Sequence, residues 1–172
     1  MKKKMTVAVV CGGRSSEHQV SLVSGLNIFK AIDRKKYKVV AIGIDEKGDW
    51  QLAEKNKLWE KFENIKNIKL SRKAKRVFPV KNKNGISLLE FSTAKLREKI
   101  DVFFPITHGT YGEDGCLQGF FETLDVAYVG PSVLGSSLGM DKDVAKNILR
   151  QNGIAVTPSI TLRKMEKNIS VD

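Results

Sequence analysis

The feature that most constrains this chain is a short apolar run that ends in two glycines. Met5 to Cys11 (MTVAVVC) is almost continuously apolar and rich in β-branched residues, as expected of a strand buried on both faces. It stops at Gly12-Gly13. After a polar stretch, Val20, Leu22, Val23, Leu26, Phe29 and Ile32 recur at helical spacing, so a helix is predicted from Ser16 or Gln19 to Ile32. Tyr37 to Ile44 (YKVVAIGI) reads as a second buried strand. Strand, helix and strand with short connections form a βαβ unit, which is parallel and right-handed in nearly all proteins.

Asp45 to Trp50 (DEKGDW) carries turn chemistry. Residues 53–100 are less regular and read as an elaboration on the core. In it, Arg76 to Val80 and Ile86 to Phe91 flank a predicted hairpin turn, with Asn84-Gly85 supplying positive φ. Asp101 to Ile106 (DVFFPI) is another apolar strand, leading into His108-Gly109-Thr110-Tyr111-Gly112-Glu113-Asp114-Gly115. A helix with Leu117, Phe120, Phe121 and Leu124 inward follows, then a short strand over Val126–Val129. A last helix is predicted with Val144, Ile148 and Leu149 inward, ending at Asn152-Gly153. Ile154 to Leu162 then reads as a strand, followed by a polar tail from Arg163. The fold class is α/β, a mainly parallel, helix-flanked open sheet.

Composition narrows the functional classes. With 41% apolar and 28% charged residues the chain is an ordinary globular protein. No apolar run approaches the roughly 20 residues that span a bilayer, and the apolar stretch after the basic N-terminus is too short for a secretion signal. A cytoplasmic protein without a membrane partner is expected. The net charge of +11 is concentrated between Glu54 and Lys83, with eleven Lys or Arg against three Glu. Aromatics are sparse there and no nucleic-acid motif occurs, so a solvated basic face is expected and nucleic acid is not the expected partner. Cys11 and Cys116 have no metal-binding or redox spacing and read as buried, idle thiols.

In open α/β sheets, ligands bind beyond the carboxyl ends of the strands. Both histidines, His18 and His108, fall in glycine-rich loops at that edge. Gly12 and Gly13 would let backbone N–H groups approach a ligand at a helix N-terminus. Glu17 is either a helix-capping acid or the partner of a ligand ammonium group. His108 could contact a carboxylate or developing charge, or simply bond to loop backbone. His18 reads as a supporting side chain, and Glu113 and Asp114 as caps of the next helix. Lys142 is either a surface lysine or a point charge for a nucleotide phosphate.

Taken together, the segments VAVVCGGRSSEHQVSLVSG, FPITHGTYGEDGCLQGFFETLDVAYVG and SSLGMDKDVAKNILRQNGIAVTP resemble the D-alanine–D-alanine ligases, ATP-grasp enzymes of peptidoglycan synthesis. Residues 50–100 match only loosely, as in the longer members and the related D-alanine–D-lactate ligases. The resemblance implies a Rossmann-like pre-ATP-grasp substrate domain over residues 1–132, with 53–100 an insertion, and the start of an ATP-grasp central domain over 133–172. It implies that Glu17 holds the ammonium of the first D-alanine, that His108 lies near its carboxylate, and that Lys142 contacts ATP phosphate. It further implies Mg²⁺ or Mn²⁺, with no metal ligand in this chain, and a homodimer through the N-terminal domain. The family's remaining phosphate-, adenine- and metal-binding residues have no counterpart here, so the chain alone is expected to be inactive. Other readings are a D-alanine–D-lactate ligase fragment and a non-catalytic D-amino-acid-binding or dimerisation module. The purified 172-residue chain should release no phosphate from ATP with D-alanine present; steady turnover in a phosphate-release assay would contradict this.

Overall fold

The computed structural model describes residues 4–54, 57–60 and 64–162. Strand β1 (Met5–Gly12) is followed by helix α1 (His18–Ala31) and strand β2 (Tyr37–Ile44). β1 and β2 pair in parallel, from Met5 opposite Tyr37 to Gly12 opposite Ile44, so the βαβ unit forms as its apolar pattern dictates. A turn closed by Gly48 N–H to the Asp45 carbonyl (3.0 Å) returns the chain as β3 (Trp50–Leu52), antiparallel to β2.

The insertion then adds β4 (Lys75–Asn82), β5 (Gly85–Glu90) and β6 (Lys95–Ile100), all antiparallel. β7 (Val102–Pro105) returns to the other side of β1 and pairs with it in parallel. Helix α2 (Cys116–Leu124) leads to β8 (Ala127–Tyr128), again parallel, and helices α3 (Val133–Met140) and α4 (Lys142–Gln151) follow. The strand order is β6-β5-β4-β3-β2-β1-β7-β8.

The two faces of β1 and β2 bury different partners, because side chains alternate along a strand. Ala8, Val10, Val40 and Ile42 join Trp50, Phe103 and Phe121 and the inner residues of the insertion in one core. Cys11 and Ala41 face Leu22 of α1, with Leu58 and Ile68, in the other. Phe103 and Phe121 are fully buried and stacked, with centroids 4.7 Å apart. Trp59 closes the second core, its indole N–H donating to the Leu22 carbonyl (3.1 Å).

Several expectations need correction. The α/β class stands, but the parallel pairings are confined to β2-β1-β7-β8; the insertion makes the other half antiparallel. The hairpin's positive φ falls on Gly85 (105°) and not on Asn84. Residues 154–162 form no strand: their β-rich composition finds no neighbouring strand to pair with. α4 buries none of its residues, and Val144, Ile148 and Leu149 are 37–39% exposed; the apolar stripe is present, but its periodicity does not supply the layer to cover it. Cys11 is buried, and burial pushes its thiol up to about 12, whereas Cys116 is exposed because α2 turns that first residue outward. The hydrogen bond with Asp114 raises the Cys116 thiol, keeping it protonated. The polar tail from Arg163 lies outside the described residues.

Part of the basic excess is met locally, by Arg76–Asp49 (2.7 Å) and Lys81–Asp125 (2.8 Å) among others. No helix among the described residues is long and apolar enough to cross a membrane. Because Phe121 fills the centre of the larger core, Phe121→Ala should cost about 3–5 kcal/mol in urea unfolding; a loss below about 1 kcal/mol would mean that this core is not packed as described.

Candidate functional site

The site begins where β1 ends. Gly12 has φ +90°, and a side-chain carbon there would collide with the Ile44 carbonyl oxygen, so the turn requires glycine. The Gly12 N–H donates to Ser21 Oγ (2.7 Å), and that hydroxyl donates onward to the Ile106 carbonyl (2.6 Å). Gly13 N–H donates to the Ile44 carbonyl (2.7 Å). Both N–H groups are therefore taken by protein acceptors, which corrects the expectation that they face a ligand; what these glycines offer is room. His18 is buried, with Nδ1 2.9 Å from the Gly13 carbonyl, a supporting side chain as its position implied.

Glu17 occupies the N-cap position of α1 but makes no side-chain capping bond. Its backbone N–H donates to Ser15 Oγ (3.1 Å), and its carboxylate accepts from none of the first-turn N–H groups of α1. The carboxylate is exposed, and a side-chain carbon built on Gly109 would sit 2.9 Å from its Oε2. Glu17 is thus brought directly against the second glycine loop. Ser15 Oγ also donates to the His108 carbonyl (2.7 Å), locking the two loops together.

His108 is half-buried. Its Nε2 lies 3.1 Å from Ser24 Oγ on α1, and its Nδ1 lies 3.7 Å from Glu113 Oε1. The loop behind it is braced by its own acids. Gly109 N–H donates to Glu113 (2.7 Å), and the N–H groups of Tyr111 and Cys116 donate to Asp114 (2.8 and 3.1 Å). Partial burial raises the Asp114 carboxyl, but the Tyr111 and Cys116 N–H groups outweigh it and hold it below the ordinary aspartate range. Both acids brace the loop, but neither is the N-cap of α2, which is Gly115 with no side-chain cap bond, so the capping expectation is corrected.

Lys142 begins α4, where Asp141 caps the helix by accepting from Asp143 and Val144 N–H (3.0 and 3.1 Å). Its Nζ donates to the Gly139 carbonyl (2.9 Å). Lys142, His108 and Glu113 border one cavity of about 410 Å³ between the second loop, α2 and α3. Glu17 stands outside that lining, against Gly109. The structure therefore joins Glu17 to the His108 loop, and joins His108 to Lys142 across a cavity. The serines that do this joining (Ser15, Ser21, Ser24) were not singled out from the sequence, because serine near a helix start reads as an ordinary cap.

Two glycine loops at the carboxyl ends of β1 and β7 define an α/β ligand-binding unit of the open-sheet class. The family description matching residues 6–131 is "D-ala D-ala ligase N-terminus", and the chain belongs to that family. It is 42% identical over 159 residues to the D-alanine--D-alanine ligase of Sodalis glossinidius, an alignment covering 92% of this chain and 43% of that protein. Its fold is similar to the VanG D-Ala:D-Ser ligase of Enterococcus faecalis (TM-score 0.74, 32% identity, 96% of this chain and 47% of that one). It is also similar to the Bacillus anthracis D-alanine--D-alanine ligase complexed with ATP (TM-score 0.61, 32% identity, 98% and 41%). The chain spans less than half the length of each of these three proteins.

The depressed Asp114 carboxyl makes a signed prediction. A carboxyl whose pKa is lower folded than unfolded stabilises the fold above the unfolded value, about 3.9. That contribution is lost as pH falls through the folded value. Asp114→Asn should therefore be less stable than the parent at pH 7, with the gap closing below about pH 4. Urea midpoints at the two pH values test this; a gap independent of pH would contradict it.

Proposed function

We propose that this chain forms the wall of a D-alanine–D-alanine ligase that receives the first D-alanine, with Glu17 accepting hydrogen bonds from its ammonium and His108 next to its carboxylate. The observation that carries the reading is the Glu17 carboxylate: it makes no hydrogen bond or ion pair among the described residues, although it sits at a helix start where such bonds are readily made. Its neighbours Ser15, His18 and Glu113 are all engaged. A carboxylate held free beside a rigid loop suits a cationic ligand group, since a charge-assisted bond is the stronger kind.

The relatives' names support D-alanine as the substrate at this wall. They share D-alanine and differ in the second amino acid, D-alanine in two and D-serine in the third. In the proposed reaction ATP phosphorylates the carboxylate of the first D-alanine, releasing ADP. The amine of the second D-alanine, or the hydroxyl in a D-lactate-using enzyme, then attacks the acyl carbon and phosphate leaves. Lys142, on the same cavity as His108, would meet an ATP phosphate as a point charge. Among the described residues no group of three His, Cys, Asp or Glu could hold a metal ion.

Residues 1–132 are proposed as the substrate domain and 133–172 as the beginning of the central ATP-grasp domain, a division supported by the family match ending at residue 131. A cytoplasmic location, a role in peptidoglycan synthesis and a homodimer through the first domain complete the proposal.

Calorimetric titration tests the site. D-Alanine should bind the chain saturably, and Glu17→Gln should weaken it by roughly tenfold or more, the size of a hydrogen bond to a charged group. Equal affinity in the parent and Glu17→Gln would overturn the role given to Glu17.

A further inference from the structure

A second cavity, of about 300 Å³, opens beyond the ends of β2, β1 and β7 on the α2 side of the sheet. None of Glu17, His108 and Lys142 lines it. Its apolar wall includes three aromatic rings, Trp50, Phe78 and Phe120, with centroids 5.4–6.4 Å apart. Phe78 is 39% exposed, a large apolar surface left uncovered inside a concave site. Over this wall stand Arg14 and Lys47, both exposed and neither in an ion pair among the described residues.

Tyr111, on the same rim, has φ +63°. A bulky residue in the left-handed region is an outlier that persists only where its surroundings enforce it. Here Asp114 holds its N–H (2.8 Å), and the Arg14 guanidinium lies 4.9 Å from its ring centroid. The phenol ring and the guanidinium are thereby set together at the mouth of the aromatic wall.

We propose that this cavity is a second small-molecule site, which takes an aromatic carboxylate: a planar apolar body against Trp50, Phe78 and Phe120, and one anionic group at Arg14 and Lys47. The volume is at the lower end for ligand pockets, which are mainly apolar with a few placed polar groups. The uncompensated charge of the rim is what selects an anion over a neutral aromatic. The inference is independent of the role proposed for Glu17.

The probe is 3-phenylpropionate, titrated into the ¹⁵N-labelled full chain while the Trp50 indole and Tyr111 amide signals are followed. Saturable shifts at both are expected, with 3-phenylpropanol at least tenfold weaker. Arg14→Gln and Phe78→Ala should each weaken the probe by tenfold or more, with circular dichroism melting confirming that the variants are folded. Excess D-alanine should leave the probe in place. Absence of saturation, equal affinity for the alcohol, unchanged affinity in both folded variants, or displacement by D-alanine would each overturn the proposal. The first three results leave the Glu17 titration untouched, whereas displacement by D-alanine would place D-alanine in this cavity.

Discussion

One buried hydroxyl joins everything that makes the site. Ser21 Oγ, fully inaccessible to solvent, accepts from the end of β1 and donates to the residue after β7 while riding on α1. Two consecutive elements and a third 85 residues further along the chain are registered at one atom. Leaving a buried donor or acceptor unsatisfied costs about 1–3 kcal/mol, so the loops after β1 and β7 are not free to drift independently. Ser15, bonded to the His108 carbonyl, and Ser24, beside the His108 ring, extend the same tie outward. The result is preorganisation. Glu17 and the His108 loop are set side by side by bonds that leave the Glu17 carboxylate unused.

That arrangement depends in turn on β1. Its residues from Thr6 to Gly12 are all buried, and its two faces are packed by two different cores. A strand held this way can terminate abruptly, and Gly12 makes the termination sharp by avoiding the Ile44 carbonyl. The chemistry at the edge then follows from what is left over. Backbone donors of both glycines are spent within the protein, Glu113 and Asp114 are spent on the second loop, and Glu17 is the carboxylate left unspent beside it. On the opposite side of the glycine turn, Arg14 and Lys47 have no acid partner among the described residues. A cation-seeking and an anion-seeking surface thus lie on either side of one turn.

The βαβ unit and the strand leading to His108 were legible because burial on both faces writes itself as continuous apolar runs, and α1 because its apolar residues keep helical spacing. Helix α3 was not legible: Gly135, Ser136, Ser137 and Gly139 are poor helix formers, and its cap, Ser132 accepting from Gly135 N–H (3.2 Å), looks like loop chemistry. β6 was missed because Lys95, Arg97, Glu98 and Lys99 mark an edge strand rather than a buried one. Glu17 and His108 could be picked out by their place at strand ends, yet local sequence also allowed Glu17 to be a cap. In the structure no side-chain cap bond forms at Glu17, which speaks against the capping role; the ligand-pairing role is the one proposed. The aromatic cavity was invisible in sequence, since Arg14, Trp50, Phe78 and Tyr111 come from four segments that only the folded sheet brings together.

Glu17 and His108 are proposed to act as one wall on a single amino acid. The most direct measurement follows the Glu17 side-chain carboxyl carbon and the His108 ring nitrogens by NMR as D-alanine is added. Both should shift with the same saturation curve, and L-alanine should not reproduce it. Shifts at only one of the two residues, or different midpoints for the two, would contradict a shared site.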